Sequence, residues 1–466
     1  MTPRRVRVAN AAEAHAASSQ PADHLAGRFA TPLFHLQILI VVALFLGGGG
    51  LAYGLRNLAI QLCALSILAL HRGLVVRFVR EAPPALRVLV GASMALPLVQ
   101  LVPLPPAIWQ SLPGRELAAA SLDIAGADTR SWFPASVDPA RTLVAFCGTL
   151  APATIIVIGS LLPHDDKRAL VRVALWACLA AFALGIVQFS SANTAGLLYA
   201  ERTTADAFYA TFTNRNSTAL LFVLALTMLV ALRMPRSSIM LWLAGAATVL
   251  FLLVVILTQS RSGMALLAVP AVLWLVRLGS GLWRGRSGGG VSNKGIVVAG
   301  LLAVAALGGV LGASYLSGGR VADSVERFSS GAADRPEMWE DSAYAVGQYW
   351  PVGSGMGTFD EVFQLHESLE HVSLRKAGRA HSDWLEIAIE GGIVSLLIAG
   401  GWLVWCLIAA IPRRTSADVW MPLAAGGGIA CIALQSLLDY PLRNQTLLCF
   451  AALLIVMLVR DCEAEQ

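Results

Sequence analysis

Twelve mostly apolar runs dominate this chain, near 33–53, 57–71, 86–104, 142–162, 169–188, 214–232, 238–257, 263–280, 295–315, 384–411, 419–438 and 443–459. A helix needs roughly 20 such residues to cross the hydrocarbon core of a bilayer, and most of these runs have about that length. The expected fold class is all-α, a polytopic membrane protein of about 12 transmembrane helices. The second run is short and the third ends in Pro103-Leu104-Pro105-Pro106, so eleven or thirteen crossings also fit. Composition excludes a string of soluble domains: only 14% of the 466 residues are charged, where a soluble chain carries about 25%.

Orientation follows from the Lys and Arg content of alternate loops. With the N-terminus inside, the inner segments hold 20 of the 34 basic residues and the outer segments 14, six of them in one long loop. Both termini are therefore expected in the cytoplasm and the long loop outside it. Residues 1–31, rich in alanine and polar side chains, read as a disordered cytoplasmic tail. The run from Leu33 to Ala52 reads as a signal anchor, not a cleaved leader. The expected division is a bundle of nine spans over 32–316, an external helical loop over 317–380, three more spans over 381–460 and a cytoplasmic tail over 461–466. The seven cysteines lack metal-site or disulfide spacing and read as small packing residues.

Two outer segments are long enough to fold. Residues 105–140 contain Trp109, Trp132 and Phe133 and read as an interfacial cap with its aromatics at headgroup level. In the long loop, Asp334-Arg335-Pro336-Glu337 is a helix-start signature, opening an amphipathic helix through Met338, Trp339, Val346 and Trp350. Pro351 to Gly357 breaks it, and Thr358 with Glu361 starts a second helix bearing Phe359, Val362, Phe363 and Leu369. The pair should form a small helical lid between spans nine and ten, without enough core to stand alone.

Chemistry is to be sought where charge is held at the edge of the apolar layer. Arg215 stands in Thr213-Asn214-Arg215-Asn216-Ser217 at the outer start of one run, and Arg261 fills the short turn Gln259-Ser260-Arg261-Ser262-Gly263. Arginine at membrane depth costs about 2.5–3.5 kcal/mol on insertion scales, so it takes a partner or lines a polar cavity. Either residue alone could snorkel to headgroups. Two of them flanked by Asn, Gln and Ser suit an anion, because a guanidinium is a planar fork matched to phosphate oxygens.

His381 begins the tenth run. It is either an interfacial histidine without a task or a base near neutral pH, where an unperturbed imidazole titrates at about 6.5. Asp383, Glu386 and Glu390 follow at i, i+3 and i+7 on one helical face, which three acids should turn toward the bundle interior. Asp439 and Arg443 bracket the turn Tyr440-Pro441-Leu442, as a structural ion pair or as part of the same polar cavity. His366 and His371 are five apart on a helix and share no face, so no metal site is expected. The Gly353-Ser354-Gly355-Met356-Gly357 segment lacks the Lys-Ser/Thr of a nucleotide loop and reads as the turn between the lid helices.

His381-Ser382, nine residues, Gly392, two residues and Ser395 resemble a signature of the O-antigen ligase and Wzy-type polymerase superfamily of bacterial envelope glycosyltransferases. That signature runs His, then Asn, Ser or Gln, nine positions, Gly, two positions and Gly, Thr or Tyr; Ser395 departs from its last position. Arg335-Pro336-Glu337-Met338-Trp339, followed by Pro351, Gly353, Gly355, Gly357 and Phe359, resembles the segment that precedes the family's histidine. The Arg215 and Arg261 segments resemble its two arginine-bearing turns. These matches cover about residues 200–400, and residues 1–200 match only in the number of runs and the placement of loops.

The resemblance implies an inverting, metal-independent glycosyltransferase of the bacterial inner membrane, with no cofactor and its active face periplasmic. An undecaprenyl-pyrophosphate-linked glycan is the donor, and a hydroxyl of lipid A-core or of a growing glycan is the acceptor. Membrane lipids surround the protein and nucleic acid has no part. Arg215 and Arg261 would hold the diphosphate and offset charge on the leaving group, and His381 would orient or deprotonate the hydroxyl. Arg335, Glu390, Asp439 and Arg443 are the expected substrate-binding residues. Ligase and polymerase share these motifs, so an O-antigen ligase-like transferase is the first expectation and a polymerase of O-antigen or exopolysaccharide repeats the alternative. A membrane transporter is more distant. Transporters tend to use inverted repeats and sites near the midplane, whereas these polar groups gather at one face.

Overall fold

The structure, a computed structural model, describes residues 30–49, 54–284, 335–372, 378–412 and 418–460, apart from 127, 129, 195–196, 200–206 and 234–236. The expected ninth run at 295–315, nearly all of the N-terminal tail, the C-terminal tail and the first part of the long loop lie outside the described residues.

In chain order the helices are α1 (Pro32–Leu46), α2 (Gly54–Leu70), α3 (Arg72–Glu81), α4 (Pro84–Gln100), α5 (Pro106–Trp109) and α6 (Glu116–Ile124). Then come α7 (Pro139–Gly159), α8 (His164–Ser190), α9 (Arg215–Ala231), α10 (Ser238–Leu257), α11 (Arg261–Leu266) and α12 (Ala268–Arg284). The last are α13 (Arg335–Tyr349), α14 (Phe359–His366), α15 (Asp383–Ala410), α16 (Trp420–Gln435) and α17 (Gln445–Leu458), with a 3-10 turn at Pro441–Arg443. Among the described residues the only sheet is a two-residue antiparallel pair, β1 (Pro103–Leu104) with β2 (Phe133–Pro134).

A helix occupies each of the other eleven expected runs. Five are long and apolar enough to cross a membrane: α7, α8, α10, α15 and the continuous Arg261–Ser280 stretch of α11 and α12. A sixth would be α2 and α3 taken together, which bend by 79° at their junction. The protein is therefore a multi-pass helical membrane protein, but five described helices meet the length requirement where the sequence led to about twelve crossings. The remaining apolar helices, α1, α4, α9, α16 and α17, are each 17 residues or shorter. Two of them have a clear physical reason to be short. Nearly every residue of α9 and α17 is buried, so protein surrounds them and they need not match a hydrocarbon thickness. Apolar residues with exposed faces lie on the periphery instead, as with Trp242 and Ile239 on α10 and Leu397 and Leu407 on α15.

Side chains stitch the two ends of the bundle differently. At one end α4 finishes with Gln100, whose Nε2 donates to Glu390 O at 3.0 Å, and α9, α15 and α17 begin there. At the other end basic groups meet the exposed carbonyls of helix C-termini, where the helix dipole favours cations. Lys167 Nζ donates to Val459 O at 2.9 Å, Arg277 Nη2 to Leu232 O at 2.7 Å and Arg460 Nη2 to Ile411 O at 2.5 Å.

The segment expected as a lid forms α13 and α14. Their core is Ala345, Tyr349, Phe359, Val362 and Phe363, completed by Ala380 and by Ile389 of α15. The turn between them does more than reverse the chain, because it is inserted into a break in α15. Gly392 lies at φ 55°, ψ −143°, a region essentially reserved for glycine. The break frees carbonyls that the turn satisfies: Ser354 N donates to Ile389 O and Gly355 N to Glu390 O, both at 2.8 Å, while Ile393 N donates to Pro351 O at 3.0 Å. A Cβ at Gly392 would sit 2.0 Å from Pro351 O. Gly392→Ala should therefore cost more than about 2 kcal/mol, from left-handed strain and expulsion of the turn together. Thermal unfolding and faster proteolysis near residues 350–358 would measure it, and a wild-type melting point would contradict this reading of the break.

The outer segment also differs from expectation. Trp109 is buried, its ring edge-on to Phe133 at 5.2 Å and its N–H bonded to Ser131 O at 3.2 Å. It packs the cap and is not a headgroup anchor; Trp132 is the exposed aromatic. Arg115 secures the cap to the inserted turn by donating to Ala135 O and Gly353 O. Burial pushes its guanidinium down to about 10, against the charges of Tyr349 and Glu116.

Candidate active site

The first turn of α15 is held against the last turn of α16. Asp383 N donates to Ser436 O at 3.0 Å and to Asp439 O at 3.2 Å. The buried Asp383 carboxylate accepts from Ser436 Oγ at 2.8 Å and Leu442 N at 3.0 Å through Oδ2. This junction fixes His381, whose backbone is held at φ 49°, uncommon for a residue with a side chain. Its ring stands edge-on to Tyr440, with centroids 5.0 Å apart, and Nδ1 lies 3.3 Å from Asp439 Oδ1.

Asp439 is the hub. Its buried Oδ2 accepts from Asn216 Nδ2 at 2.7 Å and Asn214 Nδ2 at 3.4 Å, and Oδ1 accepts from Tyr440 N at 3.0 Å. Burial by itself would raise this carboxyl, but the His381 hydrogen bond and charge, with Asn216 and the Tyr440 N–H, outweigh it and hold the group below its ordinary value. An ionised Asp439 can only accept, so Nδ1 of His381 is the donor in this contact.

Asn216 extends the chain of bonds to the second arginine turn. Its Oδ1 accepts from Ser260 Oγ at 2.8 Å. Ser260 caps α11 by accepting from Gly263 N at 3.2 Å, and Asn214 caps α9 by accepting from Asn216 N at 2.9 Å. Arg215 and Arg261 are the first residues of these two helices. The Ser260–Asn216–Asp439–His381 chain thus brings the segments carrying Arg215, Arg261 and His381 together at one end of the bundle. Each arginine is half-buried.

The other residues expected in the site lie elsewhere in the network. Asp439 and Arg443 do not pair with each other. Arg443 instead meets the acidic face of α15, with Nη1 2.6 Å from Glu390 Oε2, Nε 3.0 Å from Glu386 Oε2 and Nε 3.7 Å from Asp383 Oδ1. Its place in the 3-10 turn points it back under α15, while Asp439, four residues earlier, is taken by the asparagines and the histidine. Glu390 is fully buried, and its other oxygen accepts Phe359 N at 3.2 Å, at the start of α14. Arg335 opens α13, and its side chain lies outside the described residues.

A residue not singled out in the sequence, Arg379, donates to Glu386 Oε2 at 3.0 Å. Nothing in the Arg375-Lys376-Ala377-Gly378-Arg379 run distinguishes it from a solvated basic stretch. The three histidines of the long loop diverge: His366 lies 3.4 Å from Tyr349 Oη, His371 2.9 Å from Asp341 Oδ2, and His381 against Asp439. Among the described residues no group of three His, Cys, Asp or Glu side chains is arranged around a common point.

Residues 246–400 match the family model described as Wzy_C, O-antigen ligase. The match includes Arg261, His381 and Gly392 and ends before Asp439 and Arg443; Arg215 precedes it. No curated protein matches the chain.

Proposed function

We propose that this chain, a member of the O-antigen ligase and Wzy-type polymerase superfamily, is an O-antigen ligase-like glycosyltransferase. It moves a glycan from undecaprenyl pyrophosphate to an acceptor hydroxyl at the periplasmic face of the inner membrane. The observation that carries this reading is the chain of hydrogen bonds that draws two arginine-bearing helix starts to one oriented imidazole. In a single displacement the acceptor oxygen attacks the anomeric carbon, the hydroxyl proton passes to His381 Nε2, and the bond from that carbon to the phosphate oxygen breaks. Inversion follows from attack opposite the leaving group. Undecaprenyl pyrophosphate departs with the bonding pair, and Arg215 and Arg261, joined by Arg335, meet the charge that develops on it. Asp439 orients His381 and stabilises the imidazolium. Glu390 and Arg443 act one step back, as positioning residues beneath the lid of α13 and α14. The orientation rests on the basic excess at the opposite end of the bundle, which the positive-inside rule assigns to the cytoplasm.

A deletion strain tests the reading. Lipopolysaccharide gels should show core without attached O-antigen while long lipid-linked chains persist; chains stopped at a single repeat would replace the ligase by a polymerase. Purified protein should release undecaprenyl pyrophosphate from a lipid-linked glycan, and glycan movement without turnover would point to transport. Arg215→Ala and Arg261→Ala should each lower release by about 10²–10³-fold, the range for removing one group that stabilises developing charge. Lysine at either position should restore only part of the rate, since it keeps the charge and loses the fork. Full turnover in both alanine variants with normal expression would break the diphosphate assignment.

A further inference from the structure

The short helix α3 is set across the end of the bundle opposite the candidate site. The chain reaches it down α2, which packs against α1 and α7, and leaves it up α4, which ends at Gln100 beside Glu390. The turn is abrupt, 79° between α2 and α3. Both ends of α3 are fixed: His71 Nε2 lies 2.9 Å from His35 Nδ1 at the entry, and Arg87 Nη1 donates to Val79 O at 2.5 Å at the exit. Phe78 is buried in the main core, so α3 is a seated element and not a loose loop.

Its outward surface is unusual for one facing water alone. Val76 and Val79 are 49% and 59% exposed, and with Val75 they fall within about 100° of helical arc. Arg72, Arg77 and Arg80 are all exposed along the same ten residues, with Glu81 as the one acid, ion-paired to Arg77 at 2.5 Å. Arg72 falls inside that arc, and Arg80 and Arg77 lie past its edge, so valines and arginines interleave on the outward face of a helix lying across spanning helices, which matches the boundary where acyl chains meet phosphates.

We propose that α3 is an interfacial helix that binds anionic phospholipid headgroups, in the leaflet opposite the active site, through Arg72, Arg77 and Arg80. The valines dip into the acyl boundary and the guanidinium groups take the phosphates. The assignment is independent of glycan transfer.

The test equilibrates the purified full-length chain in neutral detergent with equal amounts of phosphatidylglycerol and phosphatidylcholine, then quantifies the lipid retained after gel filtration. A basic residue near an anionic surface is worth about fivefold in affinity, so three give up to about a hundredfold, and with Arg77 already paired to Glu81 the phosphatidylglycerol preference should be at least about tenfold. The Arg72→Gln, Arg77→Gln, Arg80→Gln triple variant should bring this to within about twofold. Arg172→Gln with Arg233→Gln, exposed residues at the same end, should leave it in place. Raising salt to about 0.5 M should weaken the wild-type preference, because the Debye length falls to a few ångströms. This arm decides the matter if the triple variant fails to fold. Retained preference in a folded triple variant, equal loss in the control pair, or a salt-independent preference would each overturn the proposal.

Discussion

His381→Ala should reduce release of undecaprenyl pyrophosphate by about 10²–10⁴-fold, the range for a positioned general base, while the protein folds and purifies like wild type. Folding should survive because the imidazole is one-third exposed and Asp439 would still accept from Asn216, Asn214 and Tyr440 N. Asp439→Asn should fall between the two. It keeps the shape of the hub but loses the ionised partner that fixes the tautomer and offsets the imidazolium charge. Donor binding should be little changed in both variants, since the proposed mechanism gives the diphosphate contacts to the arginines. A His381→Ala enzyme within tenfold of wild type would remove proton transfer from the proposed mechanism.

Hydropathy made the apolar helices legible, since a helix occupies each described run, but not which of them cross, since five described helices meet the length requirement. The acidic face was legible as well. Asp383, Glu386 and Glu390 recur at helical spacing, and burial of all three around Arg443 is what three acids on an otherwise apolar helix require. Hidden features depend on distant partners. Gly392 sits in a run that reads as one helix from 384 to 411, and nothing local says that a turn from residues 351–357 will enter there. Asp439 and Arg443 are four residues apart and opposite in charge, which suggests a pair; their partners, up to 225 residues distant for Asp439, were not visible in that spacing. The short lengths of α9 and α17 likewise follow from being surrounded by protein, which a hydropathy profile does not distinguish from lipid. Arg261, His381 and Gly392 fall in the stretch that matches the family model, while Asp439, which links the arginine turns to the histidine, lies beyond its end.

Arg443→Met should fail at folding and not at substrate binding. The substitution would leave Glu390 and Glu386, both fully buried, and the nearly buried Asp383 without the cation they converge on. Removing one partner of a buried ion pair costs about 3–5 kcal/mol, a large share of the 5–15 kcal/mol that holds a typical protein together. Arg379 remains beside Glu386 but reaches neither of the other two in the structure. Neutralising one acid should therefore rescue the variant in part. Arg443→Met with Glu390→Gln should be more stable than Arg443→Met alone, since the amide oxygen can still accept Phe359 N at the start of α14. The pair should show a coupling of about 0.5–3 kcal/mol in a double-mutant cycle. Melting temperatures in detergent measure the cycle, and KM for the lipid-linked glycan separates the two roles. If Arg443 touched the diphosphate directly, Arg443→Met would melt normally and show a raised KM, with nothing gained from Glu390→Gln. That outcome would return Arg443 to the substrate and leave the three carboxylates to be satisfied in another way.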